Sequence, residues 1–157
     1  RKGPARKRLV EVDPIYGSQL LAKLINRSMY DGEKSVAQKE IYRALEIIAE
    51  KTKEDPIIIF GKAIENIKPE MEVRAKRVGG AAYQVPMQVR GERKDSLSIR
   101  WLVAAARAKS NSEFHTYGEK VAQELMDAAK GEGGAVRKRQ EMEKQADANR
   151  AFSHFKW

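Results

Sequence analysis

The sequence predicts a mainly α-helical fold, a single six-helix domain from which one two-stranded β-hairpin protrudes. Apolar residues recur at helical spacing in five segments, and a sixth segment consists mostly of good helix-forming residues. The alternation of apolar and polar residues that is typical of strands occurs only over residues 71–89, on both sides of Gly79-Gly80. The chain of 157 residues is long enough for one domain with a hydrophobic core.

The chain divides into three predicted parts. Residues 1–12 form a basic N-terminal arm, which begins with a Gly, a Pro and a run of positive charge. We expect this arm to become ordered only on a polyanion. Residues 13–148 form the helical domain, which includes the hairpin over 71–89. Residues 149–157 form a C-terminal tail that is both aromatic and basic.

The first two predicted helices follow each other closely. Asp31-Gly32 ends the first helix, and its apolar stripe consists of Leu20, Leu21, Leu24, Ile25 and Met29. Ser35 and Gln38 have the spacing of a capping box and predict the start of the second helix. The buried face of the second helix should consist of Ala37, Ile41, Ala44, Leu45 and Ile48.

The third and fourth helices lie on either side of the hairpin. Asp55-Pro56 supplies an N-cap acid and a proline for the first turn of the third helix, and Lys68-Pro69 ends it. After the hairpin and a basic link, Asp95 or Ser96 should cap the fourth helix, which continues to about Lys109.

The last two helices are separated by glycines. Apolar residues at helical spacing predict a fifth helix that starts at Phe114. The GEGG string over residues 131–134 then stops it, and a helix C-cap explains this string better than a phosphate loop, because the Gly-Lys-Ser/Thr of a nucleotide loop is missing. Residues 135–148 are mostly charged, so we expect the sixth helix to be exposed and poorly anchored.

The predicted hairpin has no third strand with which to complete a sheet. Gly79-Gly80 supplies the positive φ of a tight turn, but an isolated two-stranded ribbon is only marginally stable in water. We therefore expect it to need a partner surface, and Arg74, Lys76 and Arg77 on its first strand favour an anion. Tyr83 on the second strand either packs at the root of the hairpin or stacks on a base.

Positive charge is concentrated in two segments of the chain. The net charge is +9, which favours nucleic acid as a partner. Residues 1–10 contain five basic residues and no acid, and residues 68–100 contain eight basic residues and four acids. These segments account for the whole excess, whereas basic residues placed for solubility would be spread over the surface. Arginine predominates in the hairpin and the link, which suits bidentate contact with phosphate.

The sequence provides little for catalysis or metal binding. It has no cysteine, so a thiolate zinc site and a disulfide are impossible. Neither His115 nor His154 is placed like a general base. We predict no enzyme activity, no catalytic residue, no metal, no cofactor and no small-molecule substrate. The longest apolar run, residues 101–106, is far shorter than a membrane span, so we expect a soluble intracellular protein without a membrane partner.

Strings along the whole chain resemble one ribosomal family. VRAKRVGGAAYQVPMQV followed by SLSIRWLV is similar to a signature of the bacterial small-subunit ribosomal protein seven family. Further similar strings are RKGP, DPIYGS, INRSMYDGEK, NIKPEMEVR, ELMDAAKGEGGAV and DANRAFSHFKW. Ala75, Lys76 and Gln88 stand where this family commonly has Ser, Arg and Glu, and these departures preserve or add positive charge.

The resemblance implies a fold and a function. Members of this family have a body of six helices with an extended β-ribbon. They bind the 3′ major domain of small-subunit rRNA and organise a multi-helix junction so that the head of the subunit assembles. The resemblance also implies a cytoplasmic location in the ribosome, beside proteins of the head and platform. There the ribbon would reach toward the exit-site tRNA and the mRNA path.

The resemblance also implies RNA contacts, which we carry over by position. The principal candidates are in the hairpin and the link, namely Arg74, Lys76, Arg77, Arg90, Arg93 and Lys94. The hairpin tip near tRNA and mRNA is formed by Val78, Gly79, Gly80 and Ala81. Further candidates are Arg6, Lys7 and Arg8 in the arm, Lys34 just before the second helix, and Arg100 in the fourth helix.

Two alternatives from other functional classes remain open at this stage. Helices with basic arms also occur in helical DNA-binding regulators. The aromatic tail is also compatible with a scaffold that docks to neighbouring proteins. Competition between structured rRNA and duplex DNA separates the first alternative from rRNA binding, and nuclease treatment of complexes separates the second.

Overall fold

The computed structural model describes Gly3 and residues 9–155, and within this part of the chain it confirms a mainly α-helical fold with one hairpin. The helices are α1 (Gln19–Ser28), α2 (Lys34–Thr52), α3 (Pro56–Ile67), α4 (Glu92–Ala108), α5 (Tyr117–Ala129) and α6 (Gly134–Ala148). The strands are β1 (Met71–Val78) and β2 (Ala81–Gln88), and a 3₁₀ helix (Arg150–Phe155) follows α6. The predicted RNA-contact residues Arg6, Lys7 and Arg8 lie outside the described residues.

Side-chain caps fix the starts of α1 and α3. The Ser18 hydroxyl accepts a hydrogen bond from the Leu21 amide at 3.3 Å at the start of α1. The Asp55 carboxylate accepts one from the Ile57 amide at 2.9 Å, with Pro56 in the first turn of α3. The predicted start of α3 is therefore confirmed.

The capping box predicted for α2 is wrong. The helix begins at Lys34, so Ser35 already lies in its first turn and Glu33 takes the cap position without a side-chain hydrogen bond. The reason is the preceding turn, in which Asp31 and Gly32 have φ values of 49° and 83°. This turn directs the chain into the helix before Ser35 is reached.

The predicted starts of α4 and α5 are also corrected. Helix α4 begins at Glu92 instead of following an Asp95 or Ser96 cap, because Gly91, with φ of 49°, turns the chain into the helix directly after the hairpin. Helix α5 begins at Tyr117 instead of Phe114. There, Thr116 and Glu119 form a capping box. The Thr116 hydroxyl accepts a hydrogen bond from the Glu119 amide, and the Glu119 carboxylate accepts one from the Thr116 amide.

The core lies between the helices, with α5 at its centre. Helix α5 packs against α2, α3 and α4, and α1 closes the core against α2 and α4. The largest side chains that are almost fully buried include Phe60, Leu21, Leu24, Ile25, Ile41, Leu45, Ile48, Ile64, Ile67, Leu102 and Leu125. The buried face predicted for α2 is confirmed residue by residue. This body supports the hairpin.

Helices α2 and α5 approach closely at Gly118. Its amide donates a hydrogen bond of 2.7 Å to the Glu40 carboxylate. A Cβ atom at position 118 would lie 2.9 Å from the Glu40 carbonyl oxygen, which is closer than a carbon and an oxygen can pack. Glycine at this position therefore allows the α5 N-terminus to rest on α2.

Replacing Gly118 by Ala is expected to lower the free energy of unfolding by about 1–3 kcal/mol, because the methyl group forces the two helices apart. Urea denaturation measures the change. Gly61→Ala in α3 is the matched control, since a Cβ atom there meets nothing within 4 Å. Alanine in a helix is more favourable than glycine, so the control should be neutral or stabilising. Equal effects of the two substitutions would contradict the proposed close contact.

Candidate nucleic-acid interface

The hairpin is the most distinctive element of the candidate interface. Its strands pair in antiparallel register from Met71 with Gln88 to Val78 with Ala81. Gly79 and Gly80 occupy the turn with φ values of 58° and 89°, the two positive values that a type I′ turn requires. The hairpin and its turn are therefore as the sequence predicts.

The two faces of the hairpin differ from the simple alternation in the sequence. The register places Val73 opposite Pro86 and Arg74 opposite Val85. On each face, therefore, one strand contributes mainly apolar side chains and the other strand contributes more polar ones. Val85 and Pro86 are both buried although they point to opposite faces. Protein therefore covers part of both faces, and the expectation that an anion alone supplies the partner surface is incomplete.

Helix α6 supplies part of this cover. It packs against β1 and β2 as well as against α4. Ala135, Val136 and Ala146 are buried in these contacts. The expectation that the sixth helix is poorly anchored is therefore wrong, because a few small apolar residues on one side of a charged helix are enough to dock it.

The C-terminal 3₁₀ helix covers another part of the hairpin. The Tyr83 ring lies 5.3 Å from the Phe152 ring and 5.1 Å from the Phe155 ring, measured between centroids. The Lys76 ammonium donates a hydrogen bond of 3.4 Å to the Phe155 carbonyl. The structure thus favours packing over base stacking for Tyr83, with the tail as its partner and not the root of the hairpin.

A buried carboxylate joins the hairpin to α4. The Glu72 side chain is 3% exposed, and it accepts hydrogen bonds from Nε of Arg74 at 2.6 Å and Nε of Arg93 at 2.7 Å. The Nη2 atoms of both arginines also lie 2.6 Å from its oxygens. Burial by itself raises the pKa of Glu72, but the hydrogen bonds and charges of the two arginines outweigh burial and lower it. Glu72 therefore stays ionised and fixes both guanidinium groups.

Comparison with known proteins decides the family. A model of the family described as "Ribosomal protein S7p/S5e" matches residues 1–150. The chain belongs to this ribosomal protein family. The "Small ribosomal subunit protein uS7" of Desulfovibrio desulfuricans is 55% identical over 157 residues, which cover 100% of this chain and 99% of the relative. The proteins of the same description from Carboxydothermus hydrogenoformans and Caldicellulosiruptor bescii are 54% and 51% identical over the same shares. The resemblance inferred from the sequence strings is confirmed.

The S7p/S5e family consists of ribosomal structural proteins and not of enzymes, so the chain is not an enzyme. Among the residues that the structure describes, no three His, Asp or Glu side chains are grouped so that they could hold a metal ion. No helix in the described part of the chain has the length and apolar character that crossing a membrane requires.

The remaining predicted contact residues of this S7p/S5e protein are distributed over three elements. Arg93 and Lys94 lie in the first turn of α4 instead of in the link, because α4 starts early. Arg100 follows Arg93 by two helical turns and is exposed on the same side of α4. Arg90 in the link is exposed, as is Arg77, which points to the face of the hairpin opposite Arg74.

Lys34 is the described candidate that lies apart from the hairpin. It is exposed at the start of α2, a helix that makes no packing contact with either strand among the described elements. The structure therefore brings Arg74 and Arg93 together through Glu72, whereas Lys76 lies farther along the hairpin, against the C-terminal 3₁₀ helix. A partner that binds these residues must extend farther to reach Lys34.

The sequence analysis missed two basic residues of α1. Lys23 and Arg27 line a groove of about 570 Å³ together with Val10, Glu92, Arg93, Ser96 and Ile99. Lys23 also lies 3.6 Å from the Asp95 carboxylate. Their spacing of four residues, on one side of a short helix, is a signal that the sequence analysis did not use. The groove continues the basic surface from the hairpin root to α1.

The GEGG segment is a structural connection and not a phosphate site. The amides of Lys130 and Gly131 bond back to Asp127 and Ala128 and close the end of α5, which confirms the predicted C-cap. At the start of α6, the Ala135 amide donates to the Glu124 carboxylate at 2.8 Å. A carboxylate of the protein thus occupies the place where a phosphate would have to bind.

Proposed function

We propose that this chain is a structural component of the small ribosomal subunit that binds the 3′ major domain of small-subunit rRNA. Binding there nucleates assembly of the subunit head in the cytoplasm. The main support is the basic surface. It runs from the hairpin, past Arg74 and Arg93, which Glu72 holds, to the groove between α1 and α4. The relatives named as small ribosomal subunit proteins match the whole chain, which further supports this proposal.

The mechanism is binding without chemistry. Cationic side chains of the hairpin and α4 neutralise RNA phosphates, so that RNA segments which otherwise repel one another approach closely. The body of packed helices then fixes the relative direction of these segments. The protein replaces mobile counterions by charges at fixed positions.

The partners in this proposal follow from the position of the hairpin. The basic residues Arg74, Lys76, Arg77, Arg90, Arg93, Lys94, Lys34 and Arg100 bind rRNA, together with Arg6, Lys7 and Arg8 of the arm. The tip, Val78–Ala81, lines the tRNA exit site and the mRNA path. Neighbouring proteins of the head and platform complete the site. An uncharged tip suits this role, because transient RNA partners must be released.

A competition assay tests the proposed function. Labelled 3′ major domain rRNA is bound to the full chain at one salt concentration and is then challenged with unlabelled rRNA or with duplex DNA of equal length. We expect the rRNA to compete far more strongly than the DNA, because the relatives that match the whole chain are small ribosomal subunit proteins. Chemical footprinting should show protection confined to the 3′ major domain. Equal competition by duplex DNA would instead favour a DNA-binding regulator.

A further inference from the structure

Glu72 is an acid at the centre of a basic surface, and its burial is unusual for a charged side chain. The side chain is 3% exposed, whereas Arg74 and Arg93, which it contacts, are 50% and 49% exposed. Arg74 belongs to β1 and Arg93 to α4. One carboxylate therefore holds two half-exposed guanidinium groups that come from different elements.

The geometry leaves part of each guanidinium group for a ligand. Both arginines approach Glu72 through Nε and Nη2. A guanidinium group carries five N–H donors, on Nε, Nη1 and Nη2. Because the contacts with Glu72 use only Nε and Nη2, the Nη1 atoms of Arg74 and Arg93 lie outside them. The cluster of one carboxylate and two guanidinium groups has a net charge of +1, which matches the single negative charge of a phosphodiester.

We propose that Glu72 is a positioning residue which holds Arg74 and Arg93 as one fork that binds a single phosphodiester group of the RNA. This inference rests on the proposed function. Without Glu72, each arginine would have to be immobilised when the RNA binds, which reduces affinity by roughly two- to twelvefold for each long side chain. With Glu72, that ordering takes place when the protein folds.

Simple electrostatics predicts the opposite effect for loss of the acid. Removing a negative charge from a basic surface strengthens its attraction for a polyanion. If Glu72 positions the arginines, removing its charge weakens binding instead. The sign of the change in affinity therefore separates the two accounts.

Filter binding of the full chain to 3′ major domain rRNA, at a fixed salt concentration, provides the test. We expect Glu72→Gln to weaken binding about tenfold, because two arginines lose their fixed geometry. We expect Glu72→Asp to weaken binding as well, since it keeps the charge but withdraws the carboxylate by one methylene group. Glu70→Gln is the matched control, an exposed acid two residues earlier, and its affinity should be unchanged or slightly higher.

A second comparison separates positioning from a general structural role. In a chain with Arg74→Gln and Arg93→Gln, adding Glu72→Gln should no longer weaken binding, because Glu72 acts through these two arginines. Circular dichroism and thermal melting verify that each variant is folded. If the double variant does not fold, the Glu72→Asp result decides.

Three outcomes would overturn the inference. The first is tighter RNA binding by Glu72→Gln, and the second is unchanged RNA binding by Glu72→Asp. The third is an equal loss of affinity when Glu72→Gln is added to the chain that already has Arg74→Gln and Arg93→Gln. Failure of the proposed function looks different, because the unsubstituted chain would then fail to bind the rRNA at all.

Discussion

Replacing Arg74, Lys76 and Arg77 together by Ala is expected to weaken rRNA binding by roughly two to three decades at about 100 mM salt, because each lost phosphate contact removes about 0.7–0.9 decade at that concentration. The substitution removes cations from both faces of β1, since Arg74 and Lys76 share one face and Arg77 points to the other. The packed helices of the body do not depend on these side chains. Far-ultraviolet circular dichroism should therefore remain unchanged.

The salt dependence of binding gives a second measurement on the same variant. If the unsubstituted protein neutralises roughly six to eight phosphates, its affinity should fall by about three to five decades between 50 and 200 mM salt. Loss of three phosphate contacts should reduce the slope of log affinity against log salt by about two to three. A slope near zero for the unsubstituted protein would contradict phosphate neutralisation as the source of affinity.

A matched control for this variant lies on α2. Lys39, Arg43 and Lys51 are exposed residues of that helix, and replacing them by Ala removes the same net charge. These residues lie outside the proposed surface, so the expected loss of affinity is far smaller than for the hairpin variant. An equal loss in both variants would mean that overall charge attracts the RNA and that the hairpin has no special role.

The sequence predicts the hairpin well because local chemistry determines it. The Gly-Gly pair needs no tertiary contact to favour a type I′ turn, and the alternation beside it has a strand period. The register is a different matter. Only the pairing of Val73 with Pro86 shows that the apolar rows of the two strands lie on opposite faces. That arrangement requires α6 and the C-terminal 3₁₀ helix as cover, which no local pattern indicates.

The start of α3 is predicted from its side-chain cap, whereas the starts of α2 and α4, where the backbone turns, are not. The Thr116 cap of α5 is also missed, although Thr116 and Glu119 have the spacing of a capping box. Asp55 is recognisable in the sequence because its carboxylate bonds the first turn of α3. The starts of α2 and α4 depend instead on positive φ angles at Asp31 and Gly91. Such angles follow from the direction in which the packed elements force the chain, and a glycine or an aspartate in the sequence does not by itself show that it adopts one.

The pairing at Glu72 also depends on the tertiary structure. In the sequence, Glu72 is one acid among basic residues, 21 positions before Arg93. The two residues meet because α4 starts directly after the hairpin and turns back along its root. Charge counting identifies the basic surface, but it cannot separate a cation that is held by the protein from one that is not.

The acid with the largest expected effect on stability is Glu124 in α5. Its side chain is 1% exposed and lies 3.0 Å from the Lys109 ammonium at the end of α4. Its other oxygen accepts the 2.8 Å hydrogen bond from the Ala135 amide at the start of α6. Lys109 also lies 3.2 Å from Asp127. Glu124 therefore joins three helices through one buried carboxylate.

Replacing Glu124 by Ala is expected to lower the free energy of unfolding by about 2–4 kcal/mol, because Lys109 then keeps only Asp127 as a partner and the buried Ala135 amide loses its acceptor. Urea denaturation measures this change. Glu132→Ala in the adjacent loop is the control, and as an exposed residue it should change stability by less than about 0.5 kcal/mol. Similar values for the two variants would contradict the role of Glu124.

The pH dependence of stability follows from the same pair. Burial by itself lowers the pKa of Lys109, but the hydrogen bonds and charges of Glu124 and Asp127 outweigh burial and raise it. A raised folded-state pKa means that the stabilisation is fully present below the unfolded-state value of about 10.4 and is lost as pH rises through the folded-state pKa. The difference in stability between the unsubstituted chain and Glu124→Ala should therefore shrink in strong alkali.

The loss of Glu124 should also weaken the support of the hairpin. Helix α6 packs on both strands, and its N-terminus is held by Glu124. When α6 loosens, the hairpin loses part of the protein surface that supports it, and an isolated ribbon of two strands is marginally stable. Glu124→Ala should therefore weaken rRNA binding under conditions in which the helical body is still folded, although Glu124 itself lies away from the RNA surface. Unchanged affinity in a folded Glu124→Ala variant would show that the hairpin keeps its conformation without a firmly anchored α6.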